Sequence, residues 1–416
     1  DTAIRNPQKF IFMSATNPLW ASAVLLTERM VQPMDKPTVQ DIFHRFYPAY
    51  LDQYSPSPVQ AKVAHNIMNC KTGAYGANVC VCEDCGFVQI HYNSCRNRCC
   101  PMCQAVPKEM WMDARREDVL DAPYFHLVFT VPDILNPVIY SNQRLLYDAL
   151  YHAASSTISE LTADPKHLGA KVGYICILHT WGSEMNFHPH IHTILLGGGL
   201  ASNNQWKDNG ENFFLPIRVI SKMFRGKYLE ELKRLWEEDK LVFHGTAEKF
   251  RNHYTFKELL DSCYGMDWIP HCKKTFNGAQ TVIKYLGKYT HRIAVSNHRT
   301  VRMDDDTVTF LVKDYRNEGQ WKELTISGVE FVRRFLMHVP PRRFVRIRHY
   351  GLLCSRTKSQ KLTLCRNLLG CKKYLSKLRD MEMPEILEHL YGIKVCVCKA
   401  CGGHLGKPQM RMPLRC

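Results

Sequence analysis

His188-Pro189-His190-Ile191-His192 runs directly into Thr193-Ile194-Leu195-Leu196, and the reading of this stretch decides the fold. Alternating residues followed by an apolar run are the pattern of a strand, whose period of two points all three imidazoles to one face. Such a face offers a metal site. The strand needs partners, and the sequence supplies them close by. Val172-Gly173-Tyr174-Ile175-Cys176-Ile177-Leu178-His179-Thr180-Trp181, joined through Gly182-Ser183-Glu184-Met185-Asn186, predicts a hairpin. Tyr124 to Val131, stopped by Pro132, predicts a further strand that starts the sheet, and Gly197-Gly198-Gly199 ends the histidine strand.

Downstream, Gly278 to Lys284 carries a helical pattern that continues into Tyr285-Leu286-Gly287-Lys288-Tyr289, so two phenols at i and i+4 share one side of a helix. Cutting a phosphodiester with a tyrosine needs a phenolate delivered in line and a cation that polarises the phosphate. His190 and His192 supply two neutral nitrogens. A third ligand could come from His188, Glu184 or Gln280, and spacing does not choose among them. Lys284 and Lys288 flank the phenols closely enough to lower their pKa and to hold phosphate or leaving group. Imidazole suits several transition metals while Mg prefers oxygen, so ligand type leaves the ion open; Mg or Mn is expected at work. Either element alone is as well explained by packing. Their joint presence on a basic, cysteine-rich chain favours chemistry.

Lys plus Arg outnumber Asp plus Glu by 55 to 39, a net charge of +16, which points to a polyanionic partner. No apolar run approaches the ~20 residues of a membrane span, and no secretion signal opens the chain, so a cytoplasmic, nucleoid-associated location is expected. Of 18 cysteines, eight lie between Cys70 and Cys103. In a reducing compartment such crowding suits zinc more than disulfides. Cys82/Cys85 and Cys100/Cys103 are Cys-x-x-Cys knuckles 14 residues apart, the spacing of one structural zinc site. Cys70, Cys80, Cys95 and Cys99 leave room for a second ion. Cys398/Cys401 form another knuckle, with Cys396, His404, Cys354, Cys365, Cys371 and Cys416 as candidate partners.

Thr38 and Ser57 read as caps of two helices, and amphipathic patterns predict helices near residues 108–119, 145–161, 220–241, 327–337, 356–369 and 372–378. Strands are expected at Asp267 to His271 and as a hairpin around Asp304-Asp305-Asp306. Arg96 and Arg98, in the cysteine loop, suit phosphate or base contact. Arg342-Arg343-Phe344-Val345-Arg346-Ile347-Arg348 alternates cations with apolar residues, which as a strand would track a nucleic-acid backbone. The expected fold class is α+β. An N-terminal Cys-rich zinc module (37–106) precedes a central antiparallel nuclease sheet with packed helices (107–300). A basic region (301–380) and a small zinc-ribbon-like tail (381–416) follow, and residues 1–36 are an extension.

His-Pro-His-Ile-His ahead of Tyr-Leu-Gly-Lys-Tyr-Thr-His-Arg, with Cys-Gly-Phe-Val-Gln-Ile-His-Tyr-Asn-Ser-Cys-Arg-Asn-Arg-Cys-Cys-Pro-Met-Cys-Gln upstream, resembles the two-tyrosine HUH transposases of bacterial rolling-circle insertion sequences, relatives of Helitrons. Residues 178–182 and 346–351 also look like family stretches, and the likeness spans about residues 40–370. The resemblance implies that His190 and His192 bind the catalytic metal, that Tyr285 and Tyr289 are the nucleophiles, and that the upstream cysteines bind structural zinc; Lys288 is expected to assist catalysis beside the phenols, and Arg292 to contact DNA. Cys99 stands where the family is expected to have histidine. The implied reaction nicks and rejoins single-stranded DNA, at hairpin-bearing element ends and a target, through 5′-phosphotyrosine, with no need for ATP. Accordingly no Gly-x-x-x-x-Gly-Lys motif is found. A replication initiator or relaxase would share this chemistry, and an inactive zinc-dependent DNA-binding protein would share the charge and cysteines; the intact histidines and tyrosines disfavour the latter.

Overall fold

A computed structural model of the chain describes residues 36–209, 215–268, 270–275, 287, 293–314 and 317–411. Helices α1 (Val39–Gln53) and α2 (Pro58–Met68) open the described part. Thr38 and Ser57 cap them with reciprocal side-chain bonds to Asp41 and Gln60, which satisfy amide groups that no helical carbonyl can reach. Strands β1 (Ala77–Val81) and β2 (Val88–Tyr92) and helix α3 (Ala105–Arg116) follow. Next come β3 (Tyr124–Thr130), α4 (Asn136–Ser141), α5 (Gln143–Ala163), β4 (Lys171–Trp181), β5 (Phe187–Leu200) and β6 (Trp206–Asp208). Helices α6 (Ile217–Glu237) and α7 (His253–Gly265) lead to β7 (His271–Thr275). Strands β8 (Thr300–Met303), β9 (Thr307–Asp314) and β10 (Gln320–Ser327) precede α8 (Gly328–Met337). The C-terminal part holds β11 (Ile347–Gly351), α9 (Lys358–Leu369), α10 (Met383–Tyr391) and β12 (Gln409–Arg411).

The central sheet has the order β11-β4-β5-β3-β7, antiparallel throughout, with β6 on the far end of β5. Alternation along each strand divides its side chains between two cores. Phe125, Leu127 and Phe129, Tyr174 and Leu178, and Ile191 and Leu195 pack beneath α5, α6 and α7. Ile175, Ile177, Ile194 and Leu196 face the other way, with Met112 of α3 and Leu362 and Cys365 of α9. The catalytic candidates on β5 lie on this second face.

A separate core joins α1 and α2 to β9 and α8, and takes in Cys70, Cys99, Cys100 and Met185. The sequence boundaries expected near residues 106 and 300 therefore run through shared cores. Met185, at the tip of the β4–β5 hairpin, is fully buried there. His338 Nε2 donates to the Met185 carbonyl at 3.0 Å, and Arg334 donates to the Glu184 carbonyl at 2.9 Å, so the tip is fixed.

Four local expectations change. Gly197-Gly198-Gly199 does not end the histidine strand: β5 runs through it to Leu200, with Gly199 paired to Val172 of β4 and Gly198 and Gly199 to β6. The strand expected from Asp267 begins only at His271, as β7; Asp267 and Trp268 are irregular, with Trp268 turned into the core against Phe224 and Tyr228 and its indole donating to the Cys263 carbonyl at the end of α7. Residues 372–378 are irregular, because the buried Asp113 carboxylate draws in Tyr374, Ser376 and the Leu378 amide. The tail is not a separate ribbon, since β12 pairs with β1 in the order β12-β1-β2. No described helix is long and apolar enough to cross a membrane.

Candidate active site and its zinc modules

Three imidazoles converge on the second face of the sheet: His190 and His192 from β5 and His179 from β4. The ladder places them, for His179 lies directly opposite His190. All three are buried. His190 Nε2 and His192 Nε2 are 3.1 Å apart. Two nitrogens that each bind one ion at ~2.1 Å lie roughly 3.0–3.4 Å apart for octahedral to tetrahedral angles, so the pair fits a shared cation.

A hydrogen bond to a carbonyl sets the tautomer of His190. His190 Nδ1 lies 2.6 Å from the His188 carbonyl oxygen, which can only accept, so Nδ1 carries the proton and Nε2 keeps its lone pair. His192 Nδ1 lies 2.9 Å from Nε2 of His126 on β3, whose ring stacks on it with centroids 5.2 Å apart. A metal on His192 Nε2 requires the proton on Nδ1, and His126 Nε2 is placed to accept it. Burial, with His188 nearby, holds His190 down at about 4, and burial, with His179 and His190 nearby, holds His192 well below the usual imidazole range. Neutral imidazole is the form that binds metal.

His188, one of the candidates for the third ligand, does not join them. Trp181 pairs with Phe187 while His179 pairs with His190, so two residues of β5, His188 and Pro189, oppose Thr180 alone. This β-bulge sits at a proline, which cannot donate to the ladder, and it re-aims the side chain before it. His188 turns out to the Asp133 carboxylate at 3.2 Å and serves the site through its carbonyl. Glu184 is exposed at the turn and is not among the groups that converge with the imidazoles. His179 and His126 were not singled out as site residues in the sequence. The hairpin register would have found His179; nothing in the local sequence marks His126.

Tyr285, Lys288, Tyr289 and Arg292, with Gln280 and Lys284, lie outside the described residues. Gly287 is described and buried, and it rests against the Met112 side chain, in the core on the histidine face.

Two families match the chain: "Putative transposase" over residues 173–361 and "Transposase zinc-binding domain" over residues 42–131. A putative transposase of Sinorhizobium fredii, y4qJ, is 40% identical over 369 residues, 88% of this chain and 93% of that protein. The transposase for insertion sequence element IS801 of Pseudomonas savastanoi pv. phaseolicola is 30% identical over 309 residues, 73% of this chain and 72% of that one. The chain belongs to the two-tyrosine rolling-circle transposases of bacterial insertion sequences. The conjugative relaxase TrwC in complex with oriT DNA is also found, covering 62% of this chain and 96% of that one, with 12% identity and a TM-score of 0.24. So low a score adds nothing to the fold, which rests on the strand order above.

Among the described residues the transposase has two four-cysteine clusters, and their membership corrects the expected pairing of Cys82/Cys85 with Cys100/Cys103. Cys100 and Cys103 close on Cys70 and Cys95; Cys82 and Cys85 close on Cys398 and Cys401. The first set fits structural zinc: Cys95 and Cys103 sulfurs lie 3.8 Å apart, and tetrahedral zinc with bonds of about 2.3 Å spaces its sulfurs by roughly 3.8 Å. Between Cys100 and Cys103, hydrogen bonding pushes the first thiol up and pulls the second down, the competition that a divalent cation removes by taking every thiolate.

Cys80 and Cys99 belong to neither cluster. Cys80 lies in the β1 ladder opposite Gln89 and packs as a small apolar residue on Cys82, Cys398 and Leu405. Cys99 is buried beside Arg98 and Arg346; burial pushes its thiol up, against the pull of the two cations.

The arginines divide. Arg98 donates to the Phe344 carbonyl at 2.5 Å and toward that of Pro341, which docks the cysteine loop on the 341–344 turn. Arg348 pairs with Asp148 and lies 4.0 Å over the Tyr151 ring, and Arg346 is drawn in beside Cys99, its pKa lowered by burial. β11 covers only Ile347–Gly351, so the expected cationic strand edge is largely structural. Arg96, Arg342 and Arg343 remain exposed, and the Arg98 contact gathers them into one region.

Proposed function

We infer that this transposase nicks and rejoins single-stranded DNA with Tyr285 and Tyr289 as nucleophiles and with His179, His190 and His192 holding a divalent ion, Mg or Mn. The observation that carries the reading is the convergence of three buried imidazoles, with His190 Nε2 and His192 Nε2 3.1 Å apart and the His190 Nδ1 proton held by the His188 carbonyl. Gly287, midway between the tyrosines, lies on the histidine side of the sheet, which supports bringing the phenols to the same place. A divalent ion there would polarise the scissile phosphate and offset its developing charge. One phenolate oxygen bonds to phosphorus as the bond to the 3′-oxygen breaks, leaving a 5′-phosphotyrosine and a free 3′-hydroxyl. Attack by a 3′-hydroxyl on that linkage rejoins DNA and releases the tyrosine, so the bond energy is conserved. The second tyrosine allows two such links at once, one for the element end and one for the target. Lys288 holds the phosphate or the leaving oxygen. Arg96, Arg342 and Arg343 offer an exposed cationic track for the backbone of the strand.

Incubation of the full chain with a hairpin-bearing single-stranded oligonucleotide and Mn²⁺ tests this. A covalent protein–DNA adduct is expected, lost in the Tyr285→Phe/Tyr289→Phe double variant. An adduct that survives the double substitution refutes the nucleophile assignment. His190→Ala should abolish cleavage and leave oligonucleotide binding largely intact; equal loss of both would remove the metal role.

A further inference from the structure

Two Cys-x-x-Cys-Gly segments from opposite ends of the described chain meet face to face. In Cys82–Gly86 the Gly86 amide donates to the Cys82 carbonyl at 3.0 Å, and in Cys398–Gly402 the Gly402 amide donates to the Cys398 carbonyl at 2.9 Å. Both glycines take the left-handed conformation, with φ of 69° and 78°, which a side chain would resist. In the second segment the amides of Ala400 and Gly403 point at the Cys398 and Cys401 sulfurs at 3.4 Å, as donors to thiolates do. The sulfurs alternate between the two segments: Cys82 and Cys401 are 3.6 Å apart, Cys85 and Cys398 3.7 Å. These distances far exceed the ~2.05 Å of a disulfide and match the roughly 3.8 Å edge of a zinc tetrathiolate.

Backbone bonds hold the same junction, with Glu83 donating to the His404 carbonyl at 3.1 Å and Gly406 to the Val81 carbonyl at 2.9 Å. Among the described residues the apolar core there is Cys80, Cys82, Cys398 and Leu405, too little to hold a chain end by hydrophobic burial. Neither knuckle can fill a tetrahedral shell alone, and the Cys70 cluster is already complete without them.

We propose that Cys82, Cys85, Cys398 and Cys401 bind a single zinc ion that clasps the C-terminal segment onto the N-terminal zinc module. The clasp closes a loop of more than 300 residues, spanning the whole nuclease sheet, and the tail docks only while the ion is bound.

Zinc content of the purified full chain tests the sharing. Each pair variant, Cys82→Ser/Cys85→Ser and Cys398→Ser/Cys401→Ser, should carry one zinc ion fewer per chain than wild type, and the quadruple variant should lose no more than either pair. Additive loss in the quadruple variant, or wild-type zinc content in either pair variant, overturns the proposal. A second measurement keeps all cysteines and does not depend on how the variants fold. With a specific protease site inserted after the exposed Gly392, the cleaved C-terminal fragment should co-elute with the body and leave when a chelator strips the zinc. A fragment that leaves before chelation, or stays once zinc is gone, overturns it.

Discussion

Replacing His126 isolates the tautomer control of the metal site, because His126 need not touch the ion itself. It is 6% exposed, on β3, and its Nε2 lies 2.9 Å from His192 Nδ1. In His126→Leu the ring of His192 loses this partner, and a buried N–H without one costs about 1–3 kcal/mol. The ring can then hold its proton on Nε2, which blocks the lone pair that faces His190. Loss of such a positioning partner typically weakens metal binding roughly 10- to 100-fold, or about 1.4–2.7 kcal/mol, the same scale. His126→Gln, whose amide oxygen can accept from Nδ1, should recover most of the affinity. Calorimetric titration with Mn²⁺ reads the affinity directly. In the adduct assay the half-saturating Mn²⁺ concentration should rise by the same factor while the rate at saturation holds. Mn²⁺ affinity within twofold of wild type in a folded His126→Leu variant, or equal loss in the Leu and Gln variants, would refute the reasoning.

Three further outcomes are expected. Burial holds the His338 imidazole down at about 4, below its unfolded value of 6.5, so the unfolded chain takes up the proton first and stability falls as pH drops from about 6.5 toward 4. Through this residue the protein should be about 2 kcal/mol less stable at pH 5 than at pH 7, by urea denaturation, and His338→Gln should flatten that dependence. Phe344, 1% exposed between Tyr147 and Tyr151, should cost about 3–5 kcal/mol on replacement by alanine; a loss under about 1 kcal/mol would contradict the packing. Gly351 has φ of 61° and a Cβ there would overlap the Val172 carbonyl, so Gly351→Ala should destabilise by about 2–4 kcal/mol and lower the melting temperature.

The strands that carry the site were legible because each is bounded by turn chemistry and alternates or runs apolar: Tyr124–Thr130, Lys171–Trp181 and Phe187–Leu200 lie close to where the residues alone put them. Caps at Thr38 and Ser57 were legible for the same local reason. What the sequence hid was non-local. His126 joins the site through pairing across three strands, and Cys398/Cys401 join Cys82/Cys85 through contacts over 300 residues apart, which no spacing rule reaches. β10 escaped because its residues are mostly exposed and polar, as suits the outer strand of a small sheet. The stretches 178–182 and 346–351, noted separately, turn out to be neighbours, with the Leu178 amide donating to the Arg346 carbonyl at 3.0 Å.

The bulge at His188-Pro189 has a bearing on how portable the histidine motif is. Because two residues there face one, the chain before Pro189 is out of phase with the chain after it, and the strand reads correctly only from His190 onward. Grafting His188 to His192 into a regular hairpin would set His188 opposite Trp181 and leave His190 without the carbonyl geometry that fixes its proton. A transplant would have to carry the misfit along with the ligands, and screening for such centres by the bare five-letter string would accept strands that lack it.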